Sequence, residues 1–142
     1  MTPPSELSAS GQDSLSGFCK RDLHPRARKG IQEYNAGEYY EAHEYLELAW
    51  RDTDSPGRDL YQGILQVGVA YYQIQRGNYR GALKMFKRAR GLLQPLPDVC
   101  QGVKVAALRR DAKRVEDLLR EKGPDRMHEI DPAQFQPVPL TG

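Results

Sequence analysis

The chain has 142 residues, which is enough for one domain with a hydrophobic core and too few for two domains of ordinary size. Charged residues make up 28% and hydrophobic residues 39%, a balance typical of globular proteins, and no apolar run approaches the roughly 18 residues that would predict a membrane span. The formal net charge of +2 hides an acidic stretch at residues 30–63 and a basic stretch at residues 78–123, which we interpret as complementary solvated faces.

Composition divides the chain into three parts. Residues 1–17 are rich in Ser, Pro and Gly and poor in apolar side chains, so we predict a disordered leader that cannot offset the entropy lost on ordering. Residues 18–123 are predicted to form a single helical domain, and residues 124–142, which contain several prolines, an extended or disordered tail. The N-terminus lacks the basic start and apolar stretch of a secretion signal, and we therefore expect a cytoplasmic protein.

The chain has two cysteines, Cys19 and Cys100. They do not have the spacing of metal ligands, and the sequence around them is not that of a disulfide-rich protein. We expect both to be free thiols.

Hydrophobic periodicity predicts an all-α fold, a compact bundle of about five helices. Pro25, which is tolerated at the first helical position, begins the first helix, and Asn35 and Gly37 end it. The other helices are predicted over about 38–51, 58–76, 79–93 and 105–122. The helix over 58–76 has too many apolar residues for a single stripe, so we expect it to be the central and most buried helix.

An internal repeat supports packing in helix-turn-helix pairs. Shifting the chain by 40 residues aligns two sets of small and aromatic positions: Gly37, Tyr39, Ala42, Leu46 and Ala49 with Gly77, Tyr79, Ala82, Phe86 and Ala89. This pattern resembles the repeat of tetratricopeptide proteins, whose second helix carries Gly-x-Tyr followed by Ala and a large apolar residue. Two copies are fewer than a solenoid needs, so the pairs are expected to form a compact bundle capped by the last helix.

The most unusual chemistry lies at residues 35–50, which include the only tryptophan. On a helix, His43 and Glu47 are one turn apart and share a face with Trp50. The following helix is expected to be an antiparallel neighbour, and it carries side-chain amides on one face, which need hydrogen-bond partners when buried. These amides belong to Gln62, Gln66 and Gln73. We predict a polar network between the two helices, formed by His43, Glu47, Trp50, Gln62 and Gln66.

The same residues allow other interpretations. With Tyr40, Trp50 and Tyr72 as walls, they could form a pocket for a small ligand or a peptide. The sequence His43-Glu44-x-x-Glu47 could also provide two ligands for a divalent metal ion, His43 and Glu47, with Glu44 as a base, although a third protein ligand must come from elsewhere. Without a metal, His43 oriented by Glu47 could act as an acid or base, but no nucleophile accompanies them.

A further interpretation concerns the two basic helices. Their exposed charge could bind nucleic acid weakly, through Arg80, Lys84, Lys87, Arg88, Arg109, Arg110, Lys113 and Arg114. Interleaved aromatic residues and a reading motif are both lacking, so a nucleic-acid partner is not expected.

Three motifs together resemble a known family: Tyr39-Tyr40-Glu41-Ala42-His43-Glu44-x-x-Glu47-x-x-Trp50, then Tyr61-Gln62-Gly63-x-x-Gln66, then Arg76-Gly77-Asn78. Over about residues 26–122 the chain is similar to the small prokaryotic helical proteins of domain of unknown function family 309, sometimes labelled predicted metal-dependent hydrolases. The resemblance implies an all-α domain and gives no substrate. The positions of the family's motifs correspond in this sequence to Glu41, His43, Glu44, Glu47, Trp50, Gln62 and Gln66. Relatives often have a histidine at the position of Tyr72, and its absence here weakens a metal site.

The sequence thus predicts an uncharacterised helical domain that acts as a binding or interaction module. Its partner would be an unknown small ligand or protein, with no membrane partner and no certain cofactor. The alternatives are a metal-dependent hydrolase that uses His43 and Glu47, and a weak nucleic-acid binder. Whether the protein is an enzyme, and its oligomeric state, stay open at this stage.

Overall fold

A computed structural model describes residues 11–142, with only the backbone described for residues 11–14. Its helices are α1 (Gly11–Cys19), α2 (Pro25–Asn35), α3 (Tyr39–Asp52), α4 (Asp59–Gln75), α5 (Tyr79–Leu93) and α6 (Val105–Arg126). The strands β1 (Val99–Cys100) and β2 (Val103–Lys104) pair antiparallel in a short hairpin. Single 3-10 turns are formed by Pro56–Arg58, Met127–Glu129 and Pro132–Gln134. The predicted all-α fold is confirmed, and α2 to α6 correspond to the predicted helices.

Helix α1 lies partly within the stretch predicted to be a disordered leader. Its residue Phe18 is 2% exposed and packs edge-on against Tyr61 of α4, with ring centroids 5.6 Å apart. Gly57 allows this contact, because a Cβ atom there would collide with the Phe18 ring. The predicted leader at residues 1–10 lies outside the described residues. One buried aromatic side chain therefore attaches α1 to the domain.

Two glycine turns join the helices in pairs, α2 with α3 and α4 with α5. Gly37 and Gly77 have φ values of +82° and +76°, a left-handed conformation that favours glycine. The backbone N–H groups that follow them bond back into the preceding helices, Glu38 N to Glu33 O at 2.8 Å and Asn78 N to Gln73 O at 2.9 Å. The repeated small and aromatic positions after these turns are mostly buried, including Ala42, Leu46, Ala49, Ala82, Phe86 and Ala89.

Helix α4 is the centre of the domain and packs between α3 and α5. It buries apolar side chains around most of its circumference, as predicted: Leu60, Tyr61, Ile64, Leu65, Val67, Ala70, Tyr71 and Ile74. Gly63 and Gly68 allow neighbours to approach closely. A Cβ atom at Gly63 would collide with Leu93, and one at Gly68 would lie 3.1 Å from the ring of Tyr34.

The C-terminal segment differs from the extended or disordered tail predicted for residues 124–142. Helix α6 kinks at Gly123, where φ is +72°, and the following residues fold back onto the domain. The Phe135 ring stacks on Tyr71 of α4 at a centroid distance of 4.6 Å and an interplanar angle of 7°. The Val138 N–H donates to Asn35 Oδ1 at 2.8 Å. Several apolar side chains of this segment are buried, and they are Met127, Ile130, Phe135 and Val138.

The prediction that Cys19 and Cys100 are free thiols is wrong, because they form a disulfide. The hairpin that follows α5 brings Cys100 to the end of α1, although the two residues are 81 positions apart. Gln101 reinforces this contact, since its backbone N–H donates to Cys19 O at 2.7 Å and its Nε2 to Phe18 O at 2.9 Å. Tyr61 donates its hydroxyl to Gln101 Oε1 at 2.6 Å. Spacing along the sequence could not reveal a pairing that depends on tertiary structure.

Among residues 11–142, no helix combines the length and the apolar character that crossing a bilayer requires.

We predict that reduction of the disulfide destabilises the protein. Closing a loop of 81 positions removes unfolded-state entropy that corresponds to about 4.5 kcal/mol, and measured losses range over about 2–5 kcal/mol. Urea unfolding with and without dithiothreitol should show this loss in wild-type protein. The Cys19→Ser/Cys100→Ser variant is the control, and its midpoint should not respond to the reductant. Coincident wild-type curves would contradict the prediction.

A buried tyrosine cluster joins α2, α3 and α4 and has an acidic neighbour, Asp111. The Tyr34 and Tyr71 hydroxyls are buried without a hydrogen-bond partner, and burial raises the pKa of both above its usual range. Burial also raises the pKa of Tyr39 to about 12. Burial raises the pKa of Asp111 too, against the opposing charges of Arg110 and Arg114. The fold thus disfavours the ionised form of Asp111.

We predict that Asp111→Asn stabilises the protein at neutral pH. A carboxyl whose pKa is raised on folding stabilises the fold below its unfolded-state pKa, and this contribution is lost as the pH rises through the folded-state value. Asparagine does not ionise, so thermal unfolding at pH 7 should show a melting temperature higher by a few degrees at most. The difference should vanish at low pH, where the aspartate is protonated in both states. A lower melting temperature at pH 7 would refute this account.

Candidate functional site

The predicted site residues lie on the facing flanks of α3 and α4. Helix α3 has residues at intervals of three and four positions along one stripe, and α4 runs antiparallel to it after the short 53–58 connection. We refer to the following residues as the α3–α4 cluster: Tyr40, His43, Glu47, Trp50, Gln62, Gln66 and Tyr72. Six of these residues are partly buried, and Tyr40, which is 50% exposed, is the most exposed of the seven. The cluster therefore lies at the edge of the core, within reach of solvent.

Glu47 is the centre of the hydrogen bonding. Its Oε1 accepts from Gln62 Nε2 at 3.0 Å, and Gln62 Oε1 accepts in turn from Gln66 Nε2 at 3.0 Å. Its Oε2 accepts from Arg51 Nε at 3.3 Å, one turn along α3. Three members of the predicted network, Glu47, Gln62 and Gln66, are thus joined by hydrogen bonds, whereas His43 and Trp50 make none with them.

His43 bonds within its own helix. Its Nδ1 lies 3.0 Å from the backbone oxygen of Tyr40. A carbonyl oxygen can only accept, so Nδ1 carries the proton and Nε2 of the neutral ring has a free lone pair. Within the described chain, no hydrogen bond or ion pair joins His43 to Glu47, so the expected orientation of the imidazole by this acid is not observed. The backbone of Tyr40 sets the tautomer instead.

Two polar atoms of the cluster are buried without a partner. They are the indole Nε1 of Trp50, a donor, and the side-chain Oε1 of Gln66, an acceptor. The guanidinium of Arg58 lies over the Trp50 ring at 4.2 Å from its centroid. Leaving a buried group of this kind unpaired costs about 1–3 kcal/mol, which a partner from outside the chain would recover.

Aromatic side chains form the opposite end of the cluster. The Tyr40 ring lies 5.3 Å from His43 and 6.0 Å from Tyr72, measured between centroids. Arg76 covers Tyr72, with its guanidinium 5.5 Å from the ring centroid and a hydrogen bond of 3.3 Å to the hydroxyl. Tyr40 and Tyr72 therefore lie near each other at one end of the cluster, and Trp50 lies at the other end.

The residues of the hydrolase hypothesis are only partly brought together. Glu44, the proposed base, is exposed, whereas Glu47 is half-buried and bonded to Gln62. In the part of the chain that the structure describes, no group of three or more His, Cys, Asp or Glu residues could hold a metal ion. His43 and Glu47 therefore still lack a third protein ligand.

The basic residues divide into two groups. Those of α5 are exposed: Arg80, Lys84, Lys87 and Arg88. Three of the four in α6 bond within the domain: Arg109 Nη1 donates to Leu93 O at 2.8 Å, Lys113 pairs with Asp117 at 2.9 Å, and Arg114 donates to Gln134 O at 2.8 Å. Arg110 is exposed, like the bases of α5.

Sequence reasoning missed Arg58 and misplaced Gln73. Arg58 follows the loop after α3, where no periodic pattern links it to Trp50. Gln73 shares a helical face with Gln62 and Gln66, but its Oε1 accepts from Asn78 Nδ2 at 3.0 Å, at the turn after α4. The roles of Arg58 and Gln73 depend on contacts across loops, which helical periodicity does not predict.

Two comparisons with known proteins bear on the site. The sequence model of the family described as Domain of unknown function (DUF309) matches residues 27–85. An uncharacterized protein of Aquifex aeolicus (strain VF5) is 26% identical over 77 residues, an alignment that covers 54% of this chain and 23% of that relative. The chain thus corresponds to less than a quarter of the relative's length. The resemblance drawn from the motifs is confirmed over residues 27–85, which include the whole α3–α4 cluster and make up less than half of the chain.

Proposed function

We propose that this protein is a binding module and that the α3–α4 cluster binds a peptide-like ligand through a backbone amide. The observation that carries this proposal is the pair of buried, unpartnered atoms, Trp50 Nε1 and Gln66 Oε1. A ligand with a carbonyl acceptor and an N–H donor satisfies both atoms and recovers the free energy that their isolation costs. A peptide amide is the commonest group that offers both.

Two side chains at the ends of the cluster can move. Arg58 lies over the Trp50 ring, and its long side chain can change rotamer without disturbing the core. Tyr40 is half exposed and can swing away from His43. Rearrangement of these two side chains opens the cluster, whereas its backbone stays on two well-packed helices.

The charge around the cluster indicates the class of peptide. Glu41 and Glu44 are exposed on α3 and Glu38 just before it, and Glu47 already has two hydrogen-bond donors. Three arginines also contact the cluster, Arg51, Arg58 and Arg76, so these four acids exceed the bases by one charge. This small negative excess favours a basic ligand over an acidic one. His43 Nε2, with its free lone pair, is a further acceptor for a ligand donor. We therefore expect a neutral or basic peptide segment.

A metal-dependent hydrolase is the second candidate. The bond between His43 Nδ1 and a backbone carbonyl is the arrangement that orients many metal-ligating histidines through Nε2. Glu47 would be the second ligand and Glu44 the base. The third protein ligand is the element this candidate lacks.

A cytoplasmic location is part of the same proposal. It requires the Cys19–Cys100 disulfide to persist or cycle in a reducing compartment, where protein disulfides are mostly transient.

Trp50 is the only tryptophan, so its indole N–H resonance reports directly on the proposed contact. We predict that N-acetyl-lysine N-methylamide shifts this resonance in two-dimensional NMR, with a Kd on the order of millimolar for so small a probe. N-acetyl-glutamate N-methylamide, the acidic counterpart, should bind more weakly. Gln66→Met should lower the affinity for the lysine probe by about tenfold, because the ligand N–H loses its acceptor.

Gln73→Met is the matched control, since Gln73 bonds outside the cluster and its loss should not affect the affinity. Equal affinity of wild type and Gln66→Met, or an indole resonance that no probe shifts, would contradict the proposed amide contact.

His43→Ala separates the two candidates. A binding module predicts that the purified wild-type protein and the variant take up the same small amount of Zn²⁺ or Mn²⁺ on dialysis, with melting temperatures within a few degrees of each other. Stoichiometric metal in the wild type that is lost in His43→Ala would support the hydrolase instead. Elemental analysis of both proteins provides the measurement.

A further inference from the structure

A cavity of about 150 Å³ lies between α5 and α6, away from the α3–α4 cluster. Its apolar lining is Phe86, Ala89 and Leu93 of α5 and Ala112 of α6. Each of these residues is at most 8% exposed. Two alanines line the cavity, one from each helix, and their short side chains leave space that longer residues would fill. The short alanine side chains at the helix interface are therefore the reason that this space is open.

The cavity opens into a basic groove along α6. Gln94, Arg109 and Lys113 line both spaces, so the two adjoin each other. Arg110 and Arg114 line the groove further along α6. Ten ionisable side chains either line these two spaces or are paired or in close electrostatic contact with side chains that do. Six are bases and four are acids: Arg90, Arg109, Arg110, Lys113, Arg114 and Arg120, with Asp98, Asp111, Glu116 and Asp117. The positive excess favours an anion.

The positions of the acids disfavour an anion inside the cavity and leave its mouth as the place where an anion can bind. Glu116 is 4% exposed and lines the cavity, where its carboxylate accepts from Arg90 and from Arg120 Nη2, the latter at 3.0 Å. A second negative charge placed beside it would be repelled. In the groove, Arg114 donates to the neutral Gln134, and Arg110 is exposed and makes no ion pair with a described residue. Arg110 is therefore the guanidinium group available to a ligand, and Arg114, one turn further along α6 and bonded to Gln134 through both Nη atoms, adds its positive charge.

We propose that this cleft binds a small organic anion with an apolar group the size of a benzene ring. The ring occupies the space between Ala89 and Ala112, since an apolar cavity of about 150 Å³ is large enough for benzene. The phosphate or carboxylate lies in the groove beside Arg110 and Arg114, because guanidinium groups bind both anions through paired hydrogen bonds. The site is formed by residues 86–117, beyond the segment 27–85 that matches the family, and is independent of the proposed function.

Phenyl phosphate is the probe that tests this site, with the full chain and with binding measured by NMR titration or calorimetry. We expect a Kd on the order of millimolar. Benzylamine, which has the ring and the opposite charge, and inorganic phosphate, which lacks the ring, should each bind at least about tenfold more weakly. Equal affinity for either of these compounds and for phenyl phosphate would overturn the proposal, as would the absence of any phenyl phosphate binding.

Two variants locate the binding. Ala112→Leu fills the cavity and should weaken phenyl phosphate binding by about tenfold or more. Arg110→Glu should weaken it to a similar degree, whereas Lys84→Glu, an identical charge reversal on the exposed face of α5, should have little effect. Wild-type affinity in folded Ala112→Leu, or equal losses in the two charge reversals, would show that the probe binds elsewhere. If Ala112→Leu does not fold, the comparison of probes on wild-type protein and the charge-reversal pair decide the question.

Discussion

Helix α4 must be buried on nearly every side, and the rest of the structure depends on this requirement. Its apolar side chains extend around most of the helix, so no single neighbour can remove them from water. Helices α3 and α5 pack along two of its sides, and the aromatic residues Tyr34 and Phe135 cover much of what is left. Glycines at positions 63 and 68 let these neighbours approach closely. The C-terminal segment is therefore a part of the core.

The candidate site follows from the one flank of α4 that is not apolar. Gln62 and Gln66 lie there, half-buried, and their amides need partners that apolar neighbours cannot supply. Glu47 of α3 supplies the acceptor for Gln62, and the chain of bonds ends at Gln66, whose Oε1 is left unpaired. Trp50 is likewise left with an unpaired donor. The two helices thus pack against each other but leave two buried polar atoms without hydrogen-bond partners, which is the reason to expect a ligand there.

Helix α6 closes the domain differently. It covers α5 through small residues and a buried glutamate held by arginines, an interface with more space and more charge than the tyrosine-rich contacts of α2, α3 and α4. The matched family segment ends at residue 85, before this interface begins. The two candidate binding regions are therefore built from separate parts of the chain, and substitutions in one can be made without altering the other.

The sequence by itself determined helices α2 to α6, the glycine turns between them and the identity of the central helix. These features depend on local patterns: a period of 3.6 residues, Pro25 at a first helical position, and Gly37 and Gly77 at left-handed positions. It also placed Glu47, Gln62 and Gln66 on facing flanks, because a short loop makes consecutive helices neighbours. The tertiary structure alone decided the Cys19–Cys100 pairing, the docking of Phe135, the partner of His43 and the α5–α6 cavity. Each of these features depends on which distant residues meet in three dimensions, or on which rotamers neighbouring side chains adopt. Helical periodicity predicts neither.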